Sequence, residues 1–175
     1  MPNQRLTDKT ALTEQVGSGD LLMVVDVNDT TGSSAGTSKK MDFKYLMQTD
    51  KISLPNSEID LATNPKTLIG ALSGYMITVY NVTILTTYAA SAESSNASLF
   101  LSYDAGDPSN YWFYFRRFMN TITVNNSFSL APTPSITGTC KDTLLNKPFV
   151  LSSDGDFNGG WSADVYVTYA YTKVL

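Results

Sequence analysis

The chain has 175 residues, enough for one domain of ordinary size plus an extension. Hydrophobic content of 42% with only 16% charged residues excludes disorder, which needs low hydrophobicity and high net charge. A net charge of −4, from 12 Lys and Arg against 16 Asp and Glu, argues against a nucleic-acid partner, which would call for a basic face.

Met1 to Ser18 is polar and reads as extended; Leu6, Leu12 and Val16 fix no period. Leu21 to Val25 is an apolar run far too short to span a membrane and reads as one buried strand. Asp26 and Asp29 bracket its exit, where Asx side chains bond nearby backbone N–H groups and start turns. Gly32 and Gly36 let the following loop bend, and Thr37 to Met41 returns as a short second strand. Asp42 is placed to cap a helical turn carrying Phe43, Leu46 and Met47 on one side. This strand, loop, strand and helical turn cannot bury a core of its own. The unit is therefore expected to dock on something else through Leu21, Leu22, Val25, Asp26, Phe43 and Leu46.

Gln48 to Asp60 reads as a linker, with a short extended piece over Lys51 to Leu54 and a turn at Pro55-Asn56. The expected domain boundary lies near residue 52, giving an attachment module and linker over 1–52 and a β-domain over 53–175.

Beyond that point the texture is β-type. Leu61 to Ile69 contains Pro65 and reads as an edge strand or irregular lead-in. Tyr75 to Thr86 is a long strand whose apolar face switches: Tyr75, Ile77 and Val79 share one parity, Val82 and Ile84 the other. One extra residue near Tyr80 and Asn81 reconciles them as a β-bulge. Ala89 to Asn96 is a small-residue loop, and Ala97 to Tyr103 aligns Leu99, Leu101 and Tyr103. Tyr111 to Phe118 is aromatic on both faces and reads as central or covered on both sides. Arg116 and Arg117, adjacent on such a strand, point to opposite sides and make no patch. Thr121 to Leu130 alternates, with Ile122, Val124, Phe128 and Leu130 on one face. Ala131 to Lys147 is loop-like, Pro148 to Ser152 a short strand, and Asp154 to Gly160 a Gly-rich loop. Trp161 to Lys173 is the last strand, with Trp161, Val165, Val167, Tyr169 and Tyr171 on one face. The whole reads as all-β: an antiparallel β-sandwich of jelly-roll type behind a small N-terminal module.

Two stretches resemble known proteins. Gly19-Asp20-Leu21-Leu22, Val25-Asp26-Val27, Asp29-Thr30-Thr31-Gly32 and Gly36-Thr37-Ser38-Lys39-Lys40 together resemble a module near the N-terminus of many tailed-bacteriophage virion proteins, head fibres and tail fibres among them. Asn64-Pro65-Lys66-Thr67-Leu68-Ile69-Gly70-Ala71 and Gly74 to Val79 are similar to the opening of a β-domain in phage fibre and capsid-appendage proteins. Lys147 to Leu151, Gly159-Gly160 and Val165 to Tyr169 are similar to its close. The turn at Gly74 is shorter than the pattern, and the middle of the chain, about Thr87 to Asn146, matches only in β-texture. The resemblance implies a virion component, attached by its N-terminal module to capsid or tail and displaying a β-domain that is often trimeric; a short chain with a single β-domain makes a non-enzymatic head fibre, displayed as a homotrimer, the expectation. The alternative it implies is a tail-fibre adhesin recognising host surface glycans.

Individual residues point to little chemistry. There is no His, and the single cysteine, Cys140, forms no intrachain disulfide and lacks a base to activate it. Asp154-Gly155-Asp156-Phe157-Asn158-Gly159 opens like a calcium loop, but Val165 stands where the closing Glu belongs. The carboxylate pairs that glycoside hydrolysis needs could come from Asp104 with Asp107 or Asp154 with Asp156, all in turns where solvated Asp is expected. The expectation is no catalytic residue, no cofactor and no metal. Tyr111, Trp112, Tyr114, Tyr166, Tyr169 and Tyr171 are the candidate ligand or subunit-interface face, with Tyr103 and Trp161 in the same aromatic set. No signal peptide or membrane-length run is seen, so the chain is expected to be made in the host cytoplasm and to have no membrane partner.

Overall fold

The computed structural model describes residues 21–32, 34–42, 46–104, 111–131 and 144–174, with the side chains of Leu21 and Asp42 left aside. The chain divides into two compact units, Met1–Lys44 and Tyr45–Leu175.

The first unit contains an antiparallel hairpin of β1 (Leu21–Asp26) and β2 (Thr37–Asp42). Its loop is encoded locally. Asp26 Oδ1 accepts the Asn28 N–H at 3.1 Å, and Asp29 Oδ1 accepts the Thr31 N–H at 3.1 Å, the two expected Asx turns. Lys39 Nζ bridges both carboxylates, at 2.8 Å from Asp26 and 2.9 Å from Asp29. Gly36 has φ +113°, and a Cβ there would stand 2.7 Å from the Asp26 carbonyl oxygen, so no other residue fits. The expected strand is present but not buried: Met23, Val25 and Val27 are 75%, 57% and 68% exposed. A two-stranded ribbon has no second layer to cover its faces. The helical turn expected at Phe43 lies outside the described residues.

The second unit contains two four-stranded antiparallel sheets. One comprises β3 (Gln48–Leu54), β5 (Tyr75–Tyr88), β8 (Asn126–Leu130) and β10 (Trp161–Lys173), in the order β3-β10-β5-β8. The other comprises β4 (Lys66–Ile69), β6 (Leu99–Tyr103), β7 (Tyr111–Phe115) and β9 (Phe149–Ser153), in the order β4-β9-β6-β7. Ile77, Val82, Ile84, Val165 and Val167 from the first sheet share one core with Leu99, Leu101, Phe149 and Leu151 from the second. That arrangement is consistent with a β-sandwich.

The bulge lies where the apolar parity switches. Thr168 pairs with Asn81 and Tyr169 with Val79, leaving Tyr80 as the extra, exposed residue. Ile77 and Val79 before it and Val82 and Ile84 after it are therefore all buried. β4, with Pro65 just before it, is an edge strand as expected.

Three readings are corrected. Gln48–Leu54, expected as part of a linker, is an edge strand; Leu54 is buried and Thr49 bonds Thr168 across the ladder at 2.9 Å, while Lys51 and Ser53 face water. An edge strand tolerates such polar residues, which is why its sequence looks like a connector. β7 is an edge strand rather than a central one. The strand expected from Thr121 begins only at Asn126, because the Thr121 N–H is taken by the Glu93 carbonyl at 3.2 Å and Thr121 is left-handed, with φ +63°.

Candidate functional site

The second unit has one end built from four interlocked loops, residues 55–65, 89–98, 116–125 and 154–160. β3 runs towards this end, since Gln48 pairs with Tyr169 at the far side of the sheet and Leu54 with Ala163 at the near side. The loops are pinned by buried or backbone-directed polar groups. Glu93, 1% exposed, accepts N–H groups from Ser95 at 2.8 Å, Asn158 at 3.0 Å and Gly159 at 2.8 Å, and the Trp161 indole N–H at 3.1 Å. Burial pushes its carboxyl up, but these donors outweigh burial and hold it below the ordinary range. Asp156 Oδ1 accepts the N–H groups of Ala62 at 3.0 Å and Thr63 at 3.1 Å, and the Thr63 hydroxyl beside it helps hold its carboxyl down. Asp154 accepts the Ser98 N–H at 2.6 Å. Asn56 donates to the carbonyls of Gly159 and Trp161.

The two Asp residues that opened like a calcium loop, also one of the two carboxylate pairs considered for hydrolysis, thus hold backbone. Of the other pair, Asp104 is ion-paired with Lys147, and Asp107 lies outside the described residues, as does Cys140. Among the described residues no group of three or more acidic, His or Cys side chains could hold a metal ion.

Arg116 and Arg117 leave the strand for a turn, with Arg117 at φ +53°, and both are exposed. The alternation that would have sent them to opposite faces does not apply there. Neither has a carboxylate partner among the described residues.

Next to this end, on the face of β6 and β7 turned away from the core, three rings stack. Phe100 lies 4.8 Å from Tyr111 and 5.2 Å from Tyr114, with interplanar angles of 6° and 17°. Tyr111 and Tyr114 are 6.2 Å apart. They are 41% and 46% exposed. A register shift creates the stack: Leu101 pairs with Phe113 and Ser102 with Tyr111, so Trp112 is the extra residue. It turns into the core, 7% exposed, and its indole N–H donates to the Val79 carbonyl at 3.3 Å. The aromatic residues on both sides of β7 reflect this bulge and an outward stack, not cover on both faces.

The six candidate face residues do not share one face. Tyr111 and Tyr114 are together, and Phe100, which the sequence reading missed, joins them. Trp112 and Tyr169 are buried. The Tyr169 hydroxyl donates to Asp50 at 2.8 Å, and burial together with that carboxylate pushes its pKa up. Tyr171 bonds the Gly70 carbonyl at 2.8 Å. Tyr166 faces outward on the other sheet, with Lys51 Nζ 5.9 Å from its ring centre. Tyr103 and Trp161 are core residues, and burial pushes the Tyr103 hydroxyl up to about 12.

Of the attachment residues, Leu22 and Val25 are exposed on the hairpin, Asp26 organises its loop, and Leu46 is half-buried. Phe43 lies outside the described residues. Among the described residues no helix is long and apolar enough to cross a membrane. No family model matches the chain, and no curated protein matches it.

Proposed function

We propose that the chain is a non-enzymatic structural component of a tailed-phage virion, a head fibre, held by its N-terminal hairpin and displaying its β-domain as a homotrimer. The observation that carries this reading is the hairpin itself. Its loop is held by Asp26, Asp29, Lys39 and Gly36, yet Met23, Val25 and Val27 are open to water on a two-stranded ribbon. Such a ribbon is marginal alone and gains stability by docking. The sequence resemblance supplies the setting: virion proteins assembled in the host cytoplasm.

The strand order supports the jelly-roll reading. Consecutive strands from β3 to β10 alternate between the two sheets except at β6 and β7, which pair with each other, giving orders 3-10-5-8 and 4-9-6-7. Two Greek keys folded over each other generate that pattern, and jelly rolls recur in viral capsid and lectin domains. The engagement of Asp154 and Asp156 with backbone N–H groups supports a non-enzymatic role.

A second reading, a tail-fibre adhesin for host surface glycans, draws on the exposed Tyr111 and Tyr114, stacked on the half-buried Phe100. The test common to both is the protein content of purified particles. The chain is expected among virion proteins, and a Met23→Asp, Val25→Asp double variant is expected to fold its β-domain but to be lost from particles. Absence of the wild-type chain from particles sinks both readings.

A further inference from the structure

We infer that Asn158-Gly159 is a latent modification site, open to deamidation through a cyclic imide, and that the buried Glu93 carboxylate holds it shut. The chemistry is that of the chain's own backbone and stands whether or not the virion reading does.

Asn158-Gly159 is the only Asn-Gly pair in the sequence. In such a pair no side chain follows the asparagine to hinder ring closure. The Gly159 nitrogen bonds to Asn158 Cγ, the Cγ–Nδ2 bond breaks, and Nδ2 leaves as ammonia with the Gly159 amide proton. Water then opens the ring at either carbonyl, giving Asp or isoaspartate. Asn158 is exposed, so water reaches the ring and ammonia leaves freely.

Packing compels the glycine. A Cβ at 159 would stand 2.8 Å from Trp161 Cδ1 and 3.0 Å from Glu93 Cα, leaving no room for a larger residue that would slow the closure. The loop end therefore carries the reactive pair and needs another means of protection.

Glu93 supplies it at the nucleophile. Attack requires the Gly159 nitrogen to lose its proton, and that N–H donates to Glu93 Oε2 at 2.8 Å. An anion so close disfavours a second negative charge on the nitrogen, and with Glu93 1% exposed little water screens the two. The carboxylate is no base for the step, since its donors hold its carboxyl below the ordinary range. The asparagine is anchored to the same loop: its N–H donates to Glu93 at 3.0 Å, and its Oδ1 accepts the Ser94 N–H at 3.1 Å and the Ser94 hydroxyl at 3.3 Å. Isoaspartate would add a backbone methylene just before Gly159. That shift pulls the Gly159 N–H from Glu93 and the Gly160 N–H from the Ser91 carbonyl, which it meets at 2.8 Å, and so loosens the loop end.

Peptide mapping of the full chain after prolonged incubation in mildly alkaline buffer reads the conversion of Asn158 to Asp and isoaspartate. The folded wild type is expected to convert more slowly than the same chain unfolded in urea, by about tenfold or more. Glu93→Gln, similar in shape but uncharged, is expected to convert about tenfold faster than the wild type while folded. Ile77→Ala truncates the core at the far end of the sheet, where Ile77 pairs with Tyr171, and is expected to keep the wild-type rate. Hydrogen exchange in the wild type gives a readout that needs no variant, because base-catalysed exchange passes through the same amide anion. Gly159 should exchange more slowly than Gly160, whose N–H meets the neutral Ser91 carbonyl at the same 2.8 Å.

Conversion as fast in the folded wild type as in urea, Glu93→Gln no faster than the wild type, or Ile77→Ala as fast as Glu93→Gln overturns the assignment. So does exchange at Gly159 as fast as at Gly160, and that comparison decides the matter if Glu93→Gln fails to fold.

Discussion

The indole N–H of Trp161 donates to the Glu93 carboxylate at 3.1 Å, inside a region where Glu93 is all but sealed from water. One carboxylate thereby ties the 89–98 loop to the 154–160 loop and to the first residue of β10. Glu93→Ala removes the acceptor for the Ser95, Gly159 and Trp161 donors and is expected to cost about 3 kcal/mol in urea unfolding. A loss below about 1 kcal/mol would mean that water replaces the carboxylate.

The same group sets an acid limit. Its carboxyl is held below its ordinary 4.5, so the stability it contributes is complete above that pH and is lost as pH falls through the lower folded-state value. Stability measured against pH should therefore fall below 4.5, and Glu93→Gln should flatten that part of the curve. An equally steep fall in Glu93→Gln would assign the acid limit to other groups.

Tyr80 is the residue whose removal restores regular pairing between β5 and β10. A chain lacking Tyr80 should still fold, at a cost of roughly 2 kcal/mol or less, because Val79 and Val82 keep their inward facing. Removing Thr83 instead turns Ile84 outward and is expected to abolish folding. Comparable stability in the two deletions would refute the bulge as the register device. Thermal melts monitored by circular dichroism distinguish the outcomes.

This contrast also shows what was legible in the sequence. The parity switch from Val79 to Val82 located the bulge, and the bounds of β10 followed from alternation, because both are local patterns. The Asx turns at Asp26 and Asp29 were readable for the same reason. That β7 lies at an edge was not, since pairing is non-local and the bulge at Trp112 hid its outward face. Gln48–Leu54 looked like a connector because an edge strand is free to be polar. Glu93 escaped notice as one acid in a loop of small residues; its only signal was a lone charge in an otherwise uncharged stretch. The left-handed Arg117, Met119 and Thr121 carry no Gly or Asn to announce them.

Gly36 is held at φ +113° against the Asp26 carbonyl oxygen. Gly36→Ala should disrupt the hairpin, at a cost of roughly 2 kcal/mol or more, while leaving the melting of the β-domain unchanged. Amide exchange at Val24 and Lys40 checks the first part and calorimetry the second. A lowered β-domain melting temperature would show the two compact units to be energetically coupled.

Asp29 carries a carboxyl held at about 2 by the Thr31 hydroxyl and Lys39. The loop order it supports is complete above the ordinary 3.8 and lost as pH falls towards 2. The Thr31 amide resonance should titrate with a midpoint near 2, and Lys39→Met should move that midpoint up towards 3.8. A midpoint already at 3.8 in the wild type would mean the Lys39 bridge is absent in solution.

Limited proteolysis of intact particles, followed by mass spectrometry of pellet and supernatant, tests the attachment claim most directly. Cleavage between the two compact units should leave peptides from Leu21 to Met41 with the pelleted particles and release the β-domain, from about Gln48 onward, as a soluble fragment. Release of the hairpin peptides with the β-domain retained on particles would contradict the account. So would the absence of any peptide of this chain from the particles.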